Sequence, residues 1–171
     1  ISKLNDLIGD IIVGFQGNET IEVVLGRLLT EKGLTVAIAE SCTGGSIAQL
    51  ITSVPGASAY FKGSIVSYSK DSKIDLLGVS SEIINKHTVV STEVAEAMAI
   101  GIREKFSVDY GISTTGNAGP TTDNTDKPVG VVIISLATPD GVFSEEFNFG
   151  KPREKVIERS STKALEILRK E

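Results

Sequence analysis

The chain has 171 residues, of which 40% are hydrophobic and 23% are charged, and its formal net charge is −5. This length suits one ordinary domain with a single core, and the composition is that of a soluble protein rather than a disordered or fibrous one. No apolar run reaches the roughly 20 residues that a membrane-spanning helix needs. The acidic balance argues against nucleic-acid binding, because basic side chains on phosphates supply most non-specific affinity.

The chain contains one cysteine, Cys42, and one histidine, His87. A single cysteine rules out an internal disulfide and, with no signal segment at the start, predicts a cytoplasmic protein. Neither a Cys/His zinc cluster nor a multi-histidine metal site can be assembled from these two residues. An all-carboxylate magnesium site stays open, but no spacing argues for it, so we predict no metal and no cofactor.

The first predicted element is an amphipathic helix over residues 3–13, followed by a glycine-bearing hinge. A second helix is expected to follow, with Asn18 as its N-cap and Gly33 at its end. The chain opens with Ile-Ser-Lys rather than Met, which suggests a fragment of a longer protein. We therefore interpret residues 1–17 as a connector arm rather than part of the core, and residues 18–171 as the domain itself.

Strands and helices alternate from residue 34 onward. The predicted strands are 34–39, 61–69, 110–115, 129–138 and 142–149, and the predicted helices are 46–53, 71–77, 81–87, 92–106 and 152–170. The run Pro139-Asp140-Gly141 is typical of a hairpin turn between the last two strands. The pattern predicts an α/β fold, a three-layer αβα sandwich with a mainly parallel sheet and an antiparallel edge hairpin.

Ligands of such sheets bind where loops leave the carboxyl ends of strands, and residues 40–45 form one such loop. Ser41 follows the first strand, so its hydroxyl can project from a strand-to-helix turn as a nucleophile. The backbone N–H groups of Thr43, Gly44 and Gly45 are then expected to hold an oxyanion. The alternative is that Ser41 or Thr43 merely caps the following helix.

The second loop of this kind is Gly116-Asn-Ala-Gly-Pro120. Its glycines would let the backbone of residues Gly116, Asn117, Ala118 and Gly119 approach a phosphate or a ribose. The alternative is an ordinary tight turn after a strand. Lys127 and Arg153 are the nearest cations to strand ends that could neutralise a phosphate, although isolated cations are usually just solvated.

A serine nucleophile needs a base, and the sequence offers three kinds. His87 follows a short helix rather than a strand end, so a surface or capping role is expected. Tyr68, Lys70 and Lys73 follow the 61–69 strand, and a desolvated lysine beside a serine can act as the base. Lys73 falls in the first turn of its predicted helix, facing Tyr68, whereas Lys70 is expected to face solvent.

Cys42 is the rival nucleophile because it adjoins Ser41. Thiolate chemistry usually requires a histidine or another positive neighbour, and successive side chains point in different directions. We expect Cys42 to be a small buried residue.

The run Ala39-Glu-Ser-Cys-Thr-Gly-Gly45 resembles the signature of the CinA (competence/damage-inducible protein) C-terminal domain family, which also occurs as a stand-alone nicotinamide-nucleotide amidase. The resemblance covers about residues 18–170. The further matching segments are 61–78, 90–91, 116–120, 127–130 and Arg153. Two positions depart from the family: Lys70 replaces a residue that is often Asn, and Asn117 stands where Ile or Val is common.

The resemblance implies hydrolysis of the carboxamide of nicotinamide mononucleotide to nicotinic acid mononucleotide and ammonia, in pyridine-nucleotide salvage. The family's catalytic serine, tyrosine and lysine match Ser41, Tyr68 and Lys73. The chain would then be a metal-independent serine amidohydrolase that forms an acyl-enzyme on a linear amide. Loop 116–120, with Arg153, would hold the ribose or phosphate.

The resemblance also implies partners and alternatives. In two-domain CinA proteins a linked N-terminal domain precedes this one, and residues 1–17 resemble the connector between them. Separately, the exposed first helix leads us to expect a homo-oligomer that buries it. One alternative function is a catalytically weak nucleotide-binding or regulatory module of such a protein. Another is a DNA-associated competence factor, which fits poorly with the net charge of −5.

Overall fold

The computed structural model describes residues 19–122 and 125–171. The predicted helix over 3–13 and the hinge lie outside these residues. The prediction of Asn18 as an N-cap is wrong, because the helix that follows begins at Ile21 with Thr20 as its N-cap. The helices are α1 (Ile21–Lys32), α2 (Ser46–Thr52), α3 (Lys70–Leu77), α4 (Ser81–His87), α5 (Thr92–Phe106) and α6 (Arg153–Lys170), with a short 3₁₀ turn at Ala57–Ala59. The strands are β1 (Val36–Glu40), β2 (Phe61–Val66), β3 (Tyr110–Gly116), β4 (Val131–Thr138) and β5 (Gly141–Asn148).

The five strands form one sheet in the order β2-β1-β3-β4-β5. Strand β1 runs parallel to both β2 and β3, while β4 is antiparallel to β3 and to β5. The hairpin between β4 and β5 turns at Pro139-Asp140, with Thr138 opposite Gly141. The predicted fold class, a parallel sheet with an antiparallel edge hairpin, is confirmed.

Helices cover both faces of the sheet. One layer consists of α1, α2 and α6, which pack on the sheet through the core residues Leu25, Leu29, Ile47, Ile51, Leu165 and Leu168. The other consists of α3, α4 and α5, which pack through Leu77, Ile84, Val94, Met98 and Ile102. Strands β1 and β4 are buried at every position, as expected for strands with both faces covered.

Strand β2 is shorter than predicted. Strand β2 ends at Val66 rather than residue 69, because Ser69 begins a capping box for α3. The Ser69 hydroxyl accepts a hydrogen bond from the Ser72 N–H, and the Ser72 hydroxyl accepts one from the Ser69 N–H. Lys70 is therefore the first residue of α3 and does not precede it.

The parallel strands place three chain segments at one edge of the sheet. Glu40 at the end of β1 lies opposite Val66 at the end of β2 and beside Thr114 near the end of β3. The segments that follow these strands are therefore neighbours, although they are far apart in sequence.

Candidate active site

Ser41 begins a turn, residues 41–45, that joins β1 to α2 and is called here the Ser41 turn. The Ser41 N–H donates to the Thr114 carbonyl on β3 at 3.1 Å, which continues the strand pairing by one residue. The hydroxyls of Thr43 and Thr114 are 2.8 Å apart, and both side chains are buried. The turn is thus fixed to β3 by main-chain and side-chain contacts.

The structure brings Lys73 to Ser41. The Lys73 Nζ donates to the Ser41 Oγ at 2.9 Å and to the Ser67 carbonyl at 2.6 Å. Lys73 is only 2% exposed, whereas Ser41 is 9% exposed. Lys70 lies on the surface instead, where its amine donates to the Asn85 side-chain oxygen at 2.6 Å.

Ser41 lines a cavity of about 280 Å³, which is called here the Ser41 cavity. Its lining residues are Ser41, Cys42, Tyr68, Gly116, Asn117, Ala118, Gly119, Thr121, Thr122 and Arg153. Lys73 is not among them, because it lies behind Ser41. The cavity therefore combines the predicted serine, tyrosine and arginine with the second glycine loop.

Arg153 joins the two sides of this cavity. Its guanidinium donates to the Gly119 carbonyl at 2.7 Å and to the Tyr68 hydroxyl at 2.9 Å. Tyr68 is 60% exposed, so its ring forms part of the cavity mouth. Lys127, the other cation considered for a phosphate, pairs with Glu146 at 2.5 Å on the surface and does not line the cavity.

Glu40 is a site residue that the sequence analysis missed. Its carboxylate is fully buried and accepts hydrogen bonds from the backbone N–H groups of Gly45 and Ala48, both at 2.9 Å, and of Ile47 at 3.2 Å. These N–H groups belong to the start of α2, whose N-cap Gly45 has no side chain to cap with. The alternative that Ser41 or Thr43 caps this helix is therefore wrong.

The Glu40 contacts change which N–H groups remain for an oxyanion. The Gly45 N–H is donated to Glu40, and the Gly44 N–H is donated to the Ser41 carbonyl at 3.1 Å. We expected the N–H groups of Thr43, Gly44 and Gly45 to hold an oxyanion. For Gly44 and Gly45 this expectation is wrong, because their N–H groups already donate within the protein. Within the described chain, the N–H groups of Cys42 and Thr43 donate to no other residue.

Asn117 supports the second loop with its side chain. It is 3% exposed, and its amide donates to the Thr125 hydroxyl at 2.8 Å and to the Lys127 carbonyl at 2.7 Å. Gly116 must be glycine because a Cβ there would lie 2.6 Å from the Val131 carbonyl oxygen. The loop is therefore held against β4, with its backbone facing the Ser41 cavity.

Neither the Cys42 thiol nor the His87 imidazole has the surroundings of a catalytic group. Cys42 is buried, and burial raises the pKa of its thiol to about 12, against smaller opposing effects that include the nearby Lys73 amine. His87 is the last residue of α4 and pairs with Glu93 at 3.1 Å, as expected for a capping or surface residue.

Two further findings concern the described residues as a whole. They contain no group of three or more His, Cys, Asp or Glu side chains arranged to hold a metal ion. Within residues 19–122 and 125–171, each helix is also too short or too polar to cross a bilayer.

Comparisons with known proteins show close relatives. A CinA-like protein from Flavobacterium psychrophilum is 59% identical over 171 residues, which is 100% of this chain and 41% of that protein. A CinA-like protein from Desulfotalea psychrophila is 45% identical over 163 residues, 95% of this chain and 39% of that protein. The chain thus spans about two fifths of the length of these relatives.

Solved structures have the same fold. The competence/damage inducible protein CihA from Agrobacterium tumefaciens superimposes with a TM-score of 0.81 at 34% identity, covering 93% of this chain and 98% of that one. A CinA superfamily protein from Escherichia coli gives a TM-score of 0.84 at 27% identity, covering 96% and 98%. The family model of the CinA C-terminal domain matches residues 18–171, and the chain belongs to this family.

Proposed function

We propose that the chain is a serine amidohydrolase that hydrolyses the carboxamide of nicotinamide mononucleotide. The contact that carries the proposal is the 2.9 Å hydrogen bond between the Lys73 amine and the Ser41 hydroxyl. Burial disfavours the charged form of an amine, and a desolvated lysine beside a serine can serve as its base. Ser41 is a cavity residue while Lys73 is not, so the oxygen rather than the nitrogen meets the substrate.

The chemistry proceeds in two steps. Ser41 Oγ forms a bond to the carboxamide carbon while its proton passes to Lys73, and the C–N bond then breaks as ammonia leaves with a returned proton. Water next attacks the acyl-enzyme ester, which releases the carboxylic acid and restores the Ser41 hydroxyl. We assign to Tyr68 a proton-relay role on the solvent side, because it lines the cavity and its hydroxyl accepts a hydrogen bond from Arg153.

The substrate assignment combines the cavity with the family resemblance. The Arg153 guanidinium supplies positive charge at the cavity mouth, and Thr121 and Thr122 add hydroxyls to its lining. A phosphate or ribose beside these groups would leave the carboxamide directed inward toward Ser41. The resemblance to nicotinamide-nucleotide amidases then selects a pyridine amide as the reacting group.

The direct test is ammonia release from nicotinamide mononucleotide by the purified chain. Wild type should release ammonia and nicotinic acid mononucleotide in equal amounts, and Ser41→Ala should release neither above background. A Ser41→Ala protein that keeps most of its amidase activity would refute the scheme. Calorimetric binding without ammonia release in wild type would instead identify a nucleotide-binding module.

The two lysines provide a matched pair of variants. Lys73→Met removes the base but keeps a long buried side chain, so kcat should fall by about 10³-fold, the scale of a lost general base. Lys70→Met removes only a surface contact with Asn85, and kcat should stay within about twofold. Initial rates of ammonia release measure both variants. A larger loss in Lys70→Met would show that the wrong lysine has been assigned.

The greater length of the relatives motivates a further part of the proposal. We propose that residues 1–17 connect this domain to a covalently linked domain on its N-terminal side, and that the protein acts as a homo-oligomer in the cytoplasm. Size-exclusion chromatography with light scattering on a longer chain tests the assembly. A monomer at micromolar concentration would contradict it.

A further inference from the structure

Among the Asp, Glu, Lys and Arg side chains of the described part of the chain, Glu40 and Lys73 are the two that are buried. They lie on either side of the Ser41 turn, since Glu40 precedes it in β1 and Lys73 contacts its first residue. A buried carboxylate costs several kcal/mol unless hydrogen bonds compensate it. Three backbone N–H groups at the start of α2 supply that compensation.

These bonds constrain the turn as well as the helix. The backbone of Glu40 is held in the sheet, while its carboxylate holds Gly45, Ile47 and Ala48. The Glu40 side chain therefore links the residue before the Ser41 turn to the residues at its end, and this hydrogen-bonded loop is called here the Glu40 ring. The bond from the Ser41 N–H to Thr114 fixes the same turn to β3.

The Glu40 ring determines which backbone N–H groups of the Ser41 turn remain available to a ligand. The N–H groups of Gly44 and Gly45 are engaged within it, whereas those of Cys42 and Thr43 donate to no other residue in the described chain. Cys42 also lines the Ser41 cavity. Its N–H group directly follows the proposed nucleophile, the position that supplies an oxyanion donor in the nucleophile elbow of α/β-hydrolases.

We propose that Glu40 is a positioning residue for this reaction: its carboxylate fixes the Ser41 turn so that the Cys42 and Thr43 N–H groups face the oxygen of the reacting carbonyl. This inference rests on the proposed function. It also assigns the start of α2 a purely internal role, because the Glu40 charge already occupies it and would repel a substrate phosphate there.

The test compares Glu40→Gln with Glu40→Asp, with the exposed Glu145→Gln on β5 as the control. In Glu40→Gln the amide NH₂ cannot accept from the α2 N–H groups, so at least one bond becomes a donor–donor contact. The kcat for ammonia release should fall by about 100-fold, the scale of one lost oxyanion donor, with KM within about threefold. Glu40→Asp keeps the charge and should recover part of kcat, and Glu145→Gln should match wild type.

A second readout does not depend on the substrate. A fluorophosphonate probe phosphonylates an activated serine: the Ser41 oxygen bonds to phosphorus, fluoride leaves, and the hydroxyl proton passes to Lys73. Mass spectrometry should show that Glu40→Gln labels at Ser41 about 100-fold more slowly than wild type. The affinity for nicotinic acid mononucleotide, measured by calorimetry, should change by less than threefold.

Labelling of Glu40→Gln at the wild-type rate would overturn the proposal, as would a loss of product affinity that parallels the loss of kcat. If Glu40→Gln does not fold, Glu40→Asp carries the test, and its labelling at the wild-type rate overturns the role. A wild type that labels but releases no ammonia refutes the proposed substrate and leaves the role of Glu40 standing. A wild type that does not label refutes both.

Discussion

The side chains around Ser41 show how burial assigns roles to similar residues. Lys70 and Lys73 are three positions apart on α3, yet Lys70 lies in solvent and Lys73 is 2% exposed. Ser41 and Cys42 are adjacent, yet the serine oxygen meets the lysine and the thiol is shielded. Under the proposed function, the lysine beside Ser41 selects it as the nucleophile over Cys42, although a thiol is intrinsically more reactive.

Cys42 should be chemically inert in the folded protein. Burial raises the pKa of its thiol to about 12, so the reactive thiolate is scarce at pH 8. Iodoacetamide at pH 8 should leave Cys42 unmodified and the amidase rate unchanged, while the urea-unfolded chain should react fully. Intact-mass measurement follows the alkylation, and Cys42→Ala should keep kcat within about threefold. Rapid labelling of the native protein would contradict the assignment.

The same shift has a consequence for stability at alkaline pH. The unfolded thiol ionises near pH 8.5, whereas the folded thiol ionises only near 12. Between these values the unfolded state binds fewer protons, so this group's contribution to stability is complete below pH 8.5 and is lost as the pH rises toward 12.

Helices and strands were largely predictable where the pattern is regular. Helix α5 was predicted with the bounds it has, because its apolar positions recur at helical spacing; the structure adds Ser91 as its N-cap. Strand β1 was predicted within two residues because its apolar run ends at a polar residue. The end of β2 was missed, because the capping box at Ser69 depends on two hydroxyls bonding reciprocally and not on hydrophobicity.

The site was predictable only in part for a related reason. Spacing predicted that Lys70 would face solvent and that Lys73 would point inward, as the burial of the two side chains confirms. The contact between Arg153 and Tyr68 joins residues 85 positions apart and leaves no periodic signal. The capping by Glu40 acts across a turn of five residues, outside the usual spacing of an N-cap. A polar residue at the end of a fully buried strand was the one available sign of it.

The starts of β1 and β3 are joined by an acid-sensitive pair. The Thr35 hydroxyl and N–H donate to Asp109 at 2.7 and 2.8 Å, and these hydrogen bonds lower the pKa of the Asp109 carboxyl. Between the pKa of an unfolded Asp, about 3.9, and the lower pKa of Asp109 in the folded protein, the unfolded state binds more protons than the folded state. The stability that this pair contributes is therefore complete above about pH 3.9 and is lost as the pH falls through the lower pKa of the folded Asp109.

Replacing the carboxylate should reveal this contribution. Asp109→Asn should reduce the free energy of unfolding at pH 7 by about 1 kcal/mol and flatten its decline below pH 4. Urea unfolding at several pH values, followed by circular dichroism, measures both effects. An acid profile identical to that of wild type would exclude Asp109 as a cause of acid destabilisation.

The packing of α5 on α3 depends on Gly101. A Cβ at this position would lie 2.0 Å from the Leu77 carbonyl oxygen, a backbone atom that cannot rotate away. Gly101→Ala gains about 1 kcal/mol in helix propensity, but overpacking costs about 1–3 kcal/mol or more. We expect a net loss in the free energy of unfolding and a lower kcat, because α3 carries Lys73. Urea unfolding measures the free energy of unfolding, and initial rates of ammonia release measure kcat.

A neighbouring position on α5 provides the control for this variant. Ile100 is 40% exposed, so Ile100→Ala should change stability by no more than about 0.5 kcal/mol. If Gly101→Ala proves as stable as wild type, the two helices have more freedom to separate than the structure indicates.

For the molecule as a unit, charge argues against a direct role on DNA. The net charge is −5 and the surface cations Lys127, Lys155 and Lys163 are each paired with a glutamate. Binding to duplex DNA should therefore be weaker than about 10⁻⁴ M at physiological salt. Fluorescence anisotropy with a labelled duplex checks this prediction. Micromolar, salt-dependent binding would restore the DNA-associated reading.

The sheet separates two helical layers, and the candidate site takes one cationic side chain from each. Lys73 comes from α3 on one face and Arg153 from α6 on the other, while Ser41 follows the strand between them. Detaching either layer would leave the serine without its base or the cavity without its cation. Catalytic turnover would then serve as an assay for complete tertiary assembly, and a partly unfolded form with only one layer docked would be inactive.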